Sequence, residues 1–237
     1  MMGPIRQSQE YHRFADGRVF LGIENAADVL SSAAFIAVGL TGLFSLWRHR
    51  ARSEAREELR PYWALFGAVA LAGVGSVYYH LVPDDARLVW DRLPIAVAFL
   101  CLLAAIIAER ISVKAGIALL VPFVALGAAS VLYWAAFDDL RLYALVQFGS
   151  LAAILALCAF FPSRYSRGEL IFVAAALYGI AKVLEWLDRA VFELTGGMLS
   201  GHTLKHLLAA SALYLILWGL ERREAVVNPT SSARPRH

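Results

Sequence analysis

Cysteine is nearly missing from this chain. Two occur in 237 residues, Cys101 and Cys158, both inside apolar runs, which leaves no disulfide framework and no cysteine-based zinc site to look for. Charge is scarce as well. Charged residues make up 17% and hydrophobic residues 59%, with a mean hydropathy of +0.60, where a soluble domain carries about 25% and about 45–50%. The net charge is only +3, which argues against nucleic acid as a partner. The first 25 residues hold no apolar core; they carry Tyr11, His12, Arg13, Asp16 and Arg18 and do not read as a cleavable signal peptide. No internal repeat is visible.

What the chain does have is long apolar runs. A bilayer core takes about 20 apolar residues per helix, and seven runs qualify: 27–47, 61–81, 92–109, 114–135, 141–161, 169–190 and 202–220. The expected fold is all-α, a polytopic membrane protein with a bundle of seven transmembrane helices. One domain covers 1–222, with 1–26 as a polar segment packing near the site, and 223–237 reads as a disordered tail. The third run is short, and the sixth is interrupted by Lys182, Glu185 and Asp188.

Seven spans sort the chemistry by side. On the side of the N-terminus fall His80, at the end of the second run, Asp91 at the start of the third, His202 and His206 at the start of the seventh, and Asp16 before the first. Glu185 and Asp188 end the sixth on that same side. The opposite side holds 13 of the 22 basic residues, five of them arginines in the first loop, while 12 of the 19 acidic residues lie on the N-terminal side. The positive-inside rule makes the arginine-rich side cytoplasmic. The N-terminus and the histidines then face away from the cytoplasm, the C-terminus faces it, and a bacterial inner membrane is the expected setting.

His202 and His206 are four apart, so they share one helix face. With His80 they would give three imidazoles at one end of a bundle, leaving the fourth position of a tetrahedral zinc open to water. The alternative is an interfacial pair hydrogen-bonded to loops. Ser76 lies one turn deeper than His80. Its hydroxyl either serves an oxyanion there or bonds the carbonyl of residue 72, the usual fate of a membrane serine. Tyr78 and Tyr79 read as an interfacial aromatic belt. Asp91, with Pro94 three residues on, reads either as a helix cap or as a carboxylate that carries protons beside a metal. Lys182, Glu185 and Asp188 suggest a buried, paired network, and Lys205 is expected to snorkel.

Taken in order, Ser76-Val77-Tyr78-Tyr79-His80, Trp90-Asp91-Arg92-Leu93-Pro94 and Gly201-His202-Thr203-Leu204-Lys205-His206 resemble the motifs of alkaline ceramidases. These belong to a wider superfamily of seven-helix membrane hydrolases that includes the adiponectin receptors. Phe14-Ala15-Asp16-Gly17-Arg18, Gly22-Ile23-Glu24-Asn25 and Asp28-Val29-Leu30-Ser31 resemble that family's approach to its first helix. The resemblance implies a zinc ion held by His80, His202 and His206, with Asp91 and Ser76 as catalytic residues beside its water. It implies a ceramide-like membrane lipid as substrate, split at the amide into a fatty acid and a sphingoid base. It also implies a second, calcium-like site, for which only Asp16 and Asn25 match; Arg18 and Phe20 stand among the positions that should be acidic or Asn, which weighs against calcium. Ser32 stands where the family carries Asn. Three other readings stay open: a zinc hydrolase of another lipid ester or amide, a seven-helix receptor or transporter that uses the histidines for ligand or protons, and a metal-stabilised protein without turnover.

Overall fold

The computed structural model describes residues 3–49 and 57–226. Eight α-helices follow one another: α1 (Ala26–His49), α2 (Arg60–Leu81), α3 (Asp85–Arg110), α4 (Val113–Phe137), α5 (Arg141–Phe160), α6 (Leu170–Trp186), α7 (Asp188–Leu194) and α8 (Gly201–Glu221). A single 3-10 turn (Gln9–His12) precedes them, and the described residues contain no strand beyond two isolated bridges. Six helices are long and apolar enough to cross a membrane. A seventh crossing is formed if α6 and α7, bent by 83° at Leu187, count as one span. The chain is an all-α polytopic membrane protein. Its outward faces carry apolar side chains such as Phe44, Leu71, Val121, Leu145 and Phe160, as a lipid-facing surface requires.

The helix ends explain where the boundaries differ from the apolar runs. α3 begins at Asp85, seven residues before the third run (92–109) does, because Asp84 caps it: its carboxylate accepts from the Arg87 backbone N–H at 2.7 Å. Asp91 is therefore inside the helix and does not act as a cap. Pro94 is internal too; lacking an N–H, it frees the Trp90 carbonyl one turn back. That carbonyl lies against Gly75 of α2, where an added Cβ would meet it at 2.1 Å. The sixth run does not continue to 190 as one helix. It breaks at Leu187, and α8 starts in the crook of the break, with Gly201 so close to the Leu184 carbonyl that a Cβ would again sit at 2.1 Å.

α1, α2, α3, α5, α6 and α8 ring a central space. α4 packs outside, mainly on α3 and α5, and the seam between α5 and α6 is thin. Gln147 of α5 donates to the Tyr178 hydroxyl of α6 across that seam at 2.5 Å.

The end of the bundle remote from the N-terminus is tied by charge. Arg223 bridges Glu58 at 2.9 Å and Glu109 at 3.1 Å, and its guanidinium lies over the Tyr165 ring. Tyr62 and Ser163 donate to Glu109, and Tyr165 donates to Glu58. The next residues pair with 164–166: Ser166 N–H donates to the Glu224 carbonyl and Val226 N–H to that of Arg164. Residues 223–226 are thus held, where the sequence read them as the start of a disordered tail, because an arginine between two buried carboxylates anchors them. Residues 227–237 of that tail and the loop arginines at 50, 52 and 56 lie outside the described residues.

Arg223→Ala would leave Glu58 and Glu109 unpaired. It is expected to cost about 3–5 kcal/mol, the usual loss when one partner of a buried ion pair is removed, read as a lower melting temperature in detergent. Gly75→Ala should lower it too, by overpacking worth about 1–3 kcal/mol.

Candidate metal centre and active site

His80, His202 and His206 come from the last turn of α2 and the first two turns of α8. Each offers one ring nitrogen such that all three lie within 4.8 Å of one another, and all three residues are buried. The Nε2 atoms of His80 and His202 are 3.3 Å apart, and the three ring centroids are separated by 4.9–5.0 Å. Among the described residues this is the group that could hold a metal ion.

Local contacts aim the rings. Ser31 of α1 donates its hydroxyl proton to the Asp28 carbonyl and lies 2.9 Å from His206 Nδ1. With that proton so placed, Ser31 Oγ accepts from Nδ1–H, and Nε2 of His206 keeps its lone pair for the centre. The backbone at His202 is set by Asp188: Oδ1 accepts from His202 N–H at 2.7 Å, while Oδ2 accepts from Ala15 N–H at 2.8 Å. Ser200 caps α8 through Thr203 N–H, and the Thr203 hydroxyl donates to Asp28 Oδ1 at 2.7 Å. Asn25 donates to the His80 carbonyl at 3.0 Å. Phe14, from the N-terminal segment, lies on the cluster with its ring centroid 4.7 Å from His80 and 4.5 Å from His202.

Ser76 does not spend its hydroxyl on its own helix. Its Oγ is 2.9 Å from Ser32 Oγ of α1 and lies beside the Asp91 carboxylate of α3. Ser32 donates to the Asp28 carbonyl, so Ser76 donates to Ser32 and ties α2 to α1. Asp91, Ser76 and His206 line one cavity of about 170 Å³, measured as space for the centre of a water-sized sphere. Its polar end also holds Tyr11, Arg92, Lys182, Glu185 and Lys205. The opposite end is apolar, with Leu65, Leu102, Ile154, Ile171 and Ile216. Along α8 alone, from His206 to Ile216, it runs about 15 Å.

Lys205 does not snorkel: it donates to Glu185 Oε1 at 2.6 Å, and Lys182 and Tyr11 share the same carboxylate. Tyr79 is no belt residue. It is 1% exposed and its hydroxyl meets His12 Nδ1 at 2.9 Å, whereas Tyr78 faces outward under Arg87.

Asp16 and Asn25 each have another partner in the protein. The Arg18 guanidinium takes both oxygens of Asp16, at 2.7 and 2.6 Å, and these hydrogen bonds hold the Asp16 carboxyl below its ordinary range. A fixed cation thus supplies the charge that a calcium ion would bring. Asn25 serves as a brace for His80. Sequence reasoning passed over Ser31, Thr203 and the bracing role of Asp188. The signal for the first was present: Asp28, Ser31 and Ser32 stand three and four apart in an apolar run, one polar face of one helix.

The sequence matches no model of a known protein family, and no curated protein matches it.

Elemental analysis of chelator-washed, reloaded protein is expected to find about one transition-metal ion per chain, as a three-histidine site binds. His202→Ala or His206→Ala should abolish that uptake; Asp16→Asn should leave it intact.

Proposed function

We propose that this protein is a zinc-dependent hydrolase of a membrane-lipid amide, with ceramide the first substrate to try, cleaved to a fatty acid and a sphingoid base. The observation that carries the reading is the placement of three buried imidazoles, one with its tautomer set by Ser31, at the polar end of a long apolar cavity that Asp91 and Ser76 also line. The resemblance to alkaline ceramidases noted above points the same way.

Zinc fits the donor set. A tetrahedral ion with bonds of about 2.0–2.1 Å to nitrogen needs neighbouring ligands about 3.3 Å apart, and His80 and His202 are at 3.3 Å. When bound, such an ion supplies a Lewis acid for the amide carbonyl and lowers the pKa of a neighbouring water to about 7. The chain's own residues do the rest. Asp91 takes the proton of the attacking water as its oxygen bonds to the carbonyl carbon. Asp91 then delivers that proton to the amide nitrogen as the C–N bond breaks and the amine leaves. Ser76, on the same cavity wall as Asp91, turns its Oγ–H from Ser32 to the developing oxyanion. Phe14 excludes water from above. The apolar walls take the acyl chain, and the thin α5–α6 seam gives a lipid a lateral way in.

The paired state of Lys182, Glu185 and Lys205 weighs against a transporter path, because a carboxylate bridging two ammonium groups is a lock. The same cavity would also take another lipid amide or ester, so the panel of substrates must be wider than ceramides. The excess of arginines on the far side supports a site facing away from the cytoplasm of a bacterial inner membrane.

Asp91→Asn is the deciding variant. Purified in detergent, it should retain metal and lose at least about 100-fold in turnover, the usual contribution of a positioned acid–base group. Undiminished turnover would return Asp91 to a structural role. Metal uptake without any product from wild type, across ceramides, other amides and phospholipids, would make this a metal-stabilised protein without turnover.

A further inference from the structure

Arg92 is a buried cation without an oxygen to bond. It is 7% exposed, and its guanidinium lies among the rings of Trp134, Tyr11 and Tyr143, at 4.5, 5.1 and 5.2 Å from their centroids. Among the described residues no carboxylate pairs with it, and its Nη1 is buried with no hydrogen-bond partner. Of the carboxylates on that wall, Glu185 is committed to Lys182, Lys205 and Tyr11, and Asp91 makes no ion pair with Arg92. Arg92 lines the same cavity as Asp91, Ser76 and His206. The charged groups on that wall are Arg92, Lys182 and Lys205 against Asp91 and Glu185, so one positive charge is left over.

Ring faces attract a guanidinium, but they offer its planar fork of five N–H donors no directional acceptor. A buried charge without such acceptors is costly, and the geometry that best relieves a guanidinium is a bidentate oxyanion. The three rings meanwhile hold the fork rigid, so a ligand that engages it loses little ordering entropy.

We propose that Arg92 is an oxyanion receptor in the cavity wall. The amphiphile that fills this space carries a carboxylate or phosphate at its polar end, gripped by the Arg92 fork between Tyr11, Trp134 and Tyr143, with its chain along the apolar walls toward Ile171 and Ile216. This deepens the lipid-hydrolase reading and rests on it for the substrate class, although the binding itself needs no turnover. The oxyanion has two sources: an anionic head on the lipid to be cleaved, or the fatty carboxylate that amide cleavage releases.

The test uses the full chain in nanodiscs of neutral lipid, with palmitate, hexadecyl phosphate and hexadecanol as probes. Wild type is expected to bind the two anions at least tenfold tighter than the alcohol. Arg92→Gln should lose that preference, and Arg92→Lys should keep part of it, with melting temperatures recorded for both. Equal binding of acid and alcohol by wild type overturns the proposal even if neither variant folds, and so does an unaltered preference in folded Arg92→Gln. Two kinetic arms separate the sources. If the product is held, palmitate inhibits ceramide turnover and Arg92→Gln weakens the inhibition. If the substrate head is held, the ratio of kcat/KM for an N-palmitoyl amino acid over that for ceramide falls at least tenfold in Arg92→Gln. A protein that prefers the anions yet cleaves nothing keeps the receptor and loses the hydrolase; an active ceramidase without the preference does the reverse.

Discussion

One carboxylate decides where the polar end of this bundle is assembled. Asp188 sits just past the break in the sixth crossing and spends one oxygen on His202 N–H and the other on Ala15 N–H. The first contact seats the opening turn of α8 in the crook between α6 and α7; the second brings the N-terminal segment across it. His202 and His206 face His80 because α8 starts there, and Phe14 covers the rings because Ala15 is tied there. The approach at Gly201 is so tight that no side chain fits between α8 and the Leu184 carbonyl. Backbone donors at a helix start would be orphaned in an apolar environment, so the bond from His202 is compulsory chemistry as much as positioning.

A bilayer offers no water to repair an unsatisfied polar group, so the distribution of partners inside the bundle is informative. Most buried polar groups have found one, often on another helix: Thr203 with Asp28, Ser32 with Ser76, Lys205 with Glu185. Among the described residues five atoms are exceptions: Gln7 Oε1 in the N-terminal segment and Arg110 Nε at the far end stand apart, and the other three gather at the histidine end. His80 Nδ1, Asp28 Oδ2 and Arg92 Nη1 are buried without partners, and all belong to the histidine cluster, its supports or the cavity beside it. Natural folds tolerate such gaps where a ligand fills them.

Hydropathy alone made the membrane-crossing helices legible, because a lipid-facing helix must be apolar for its whole transit. The same signal misplaced what hydropathy does not see. α3 continues beyond the hydrocarbon as Asp85-Ala86-Arg87-Leu88, a polar first turn that reads as loop until the Asp84 cap is visible. The break at Leu187 has no proline or glycine to announce it; it lies where Gly201 packs against Leu184 and Asp188. Arg223 reads as one more arginine of a tail, since its two glutamate partners are 165 and 114 residues away along the chain. The three histidines were legible as a group because the chain changes side at every crossing, which leaves the ends of even spans and the starts of odd ones on a single face. Their second layer was not, because Ser31 and Thr203 reach it through contacts between helices that no spacing within one helix reveals. Asp16 was the opposite case: it looked like a ligand by position, and its neighbour Arg18, two residues on, had already taken both of its oxygens.

The two ends of the bundle use charge in opposite ways. At the arginine-rich end, Arg223, Glu58 and Glu109 form a closed set with Tyr62, Tyr165 and Ser163, and the described chain finishes against it. Such a closed set adds little beyond its own desolvation cost when complete, yet is expensive to break, which suits a fastener. At the histidine end the groups converge without closing on one another: three imidazoles whose nitrogens lie within 4.8 Å, a carboxylate beside Ser76, and a guanidinium boxed by rings. Preorganised polar groups of this kind cost stability in the empty protein and return it only when a ligand arrives. The fastened end can hold the crossings in register while the polar groups at the other end stay available to a ligand. That division fits a chain in which, among the described residues, Arg92 lies beside the cavity with no carboxylate paired to it while Arg223 at the far membrane face has two.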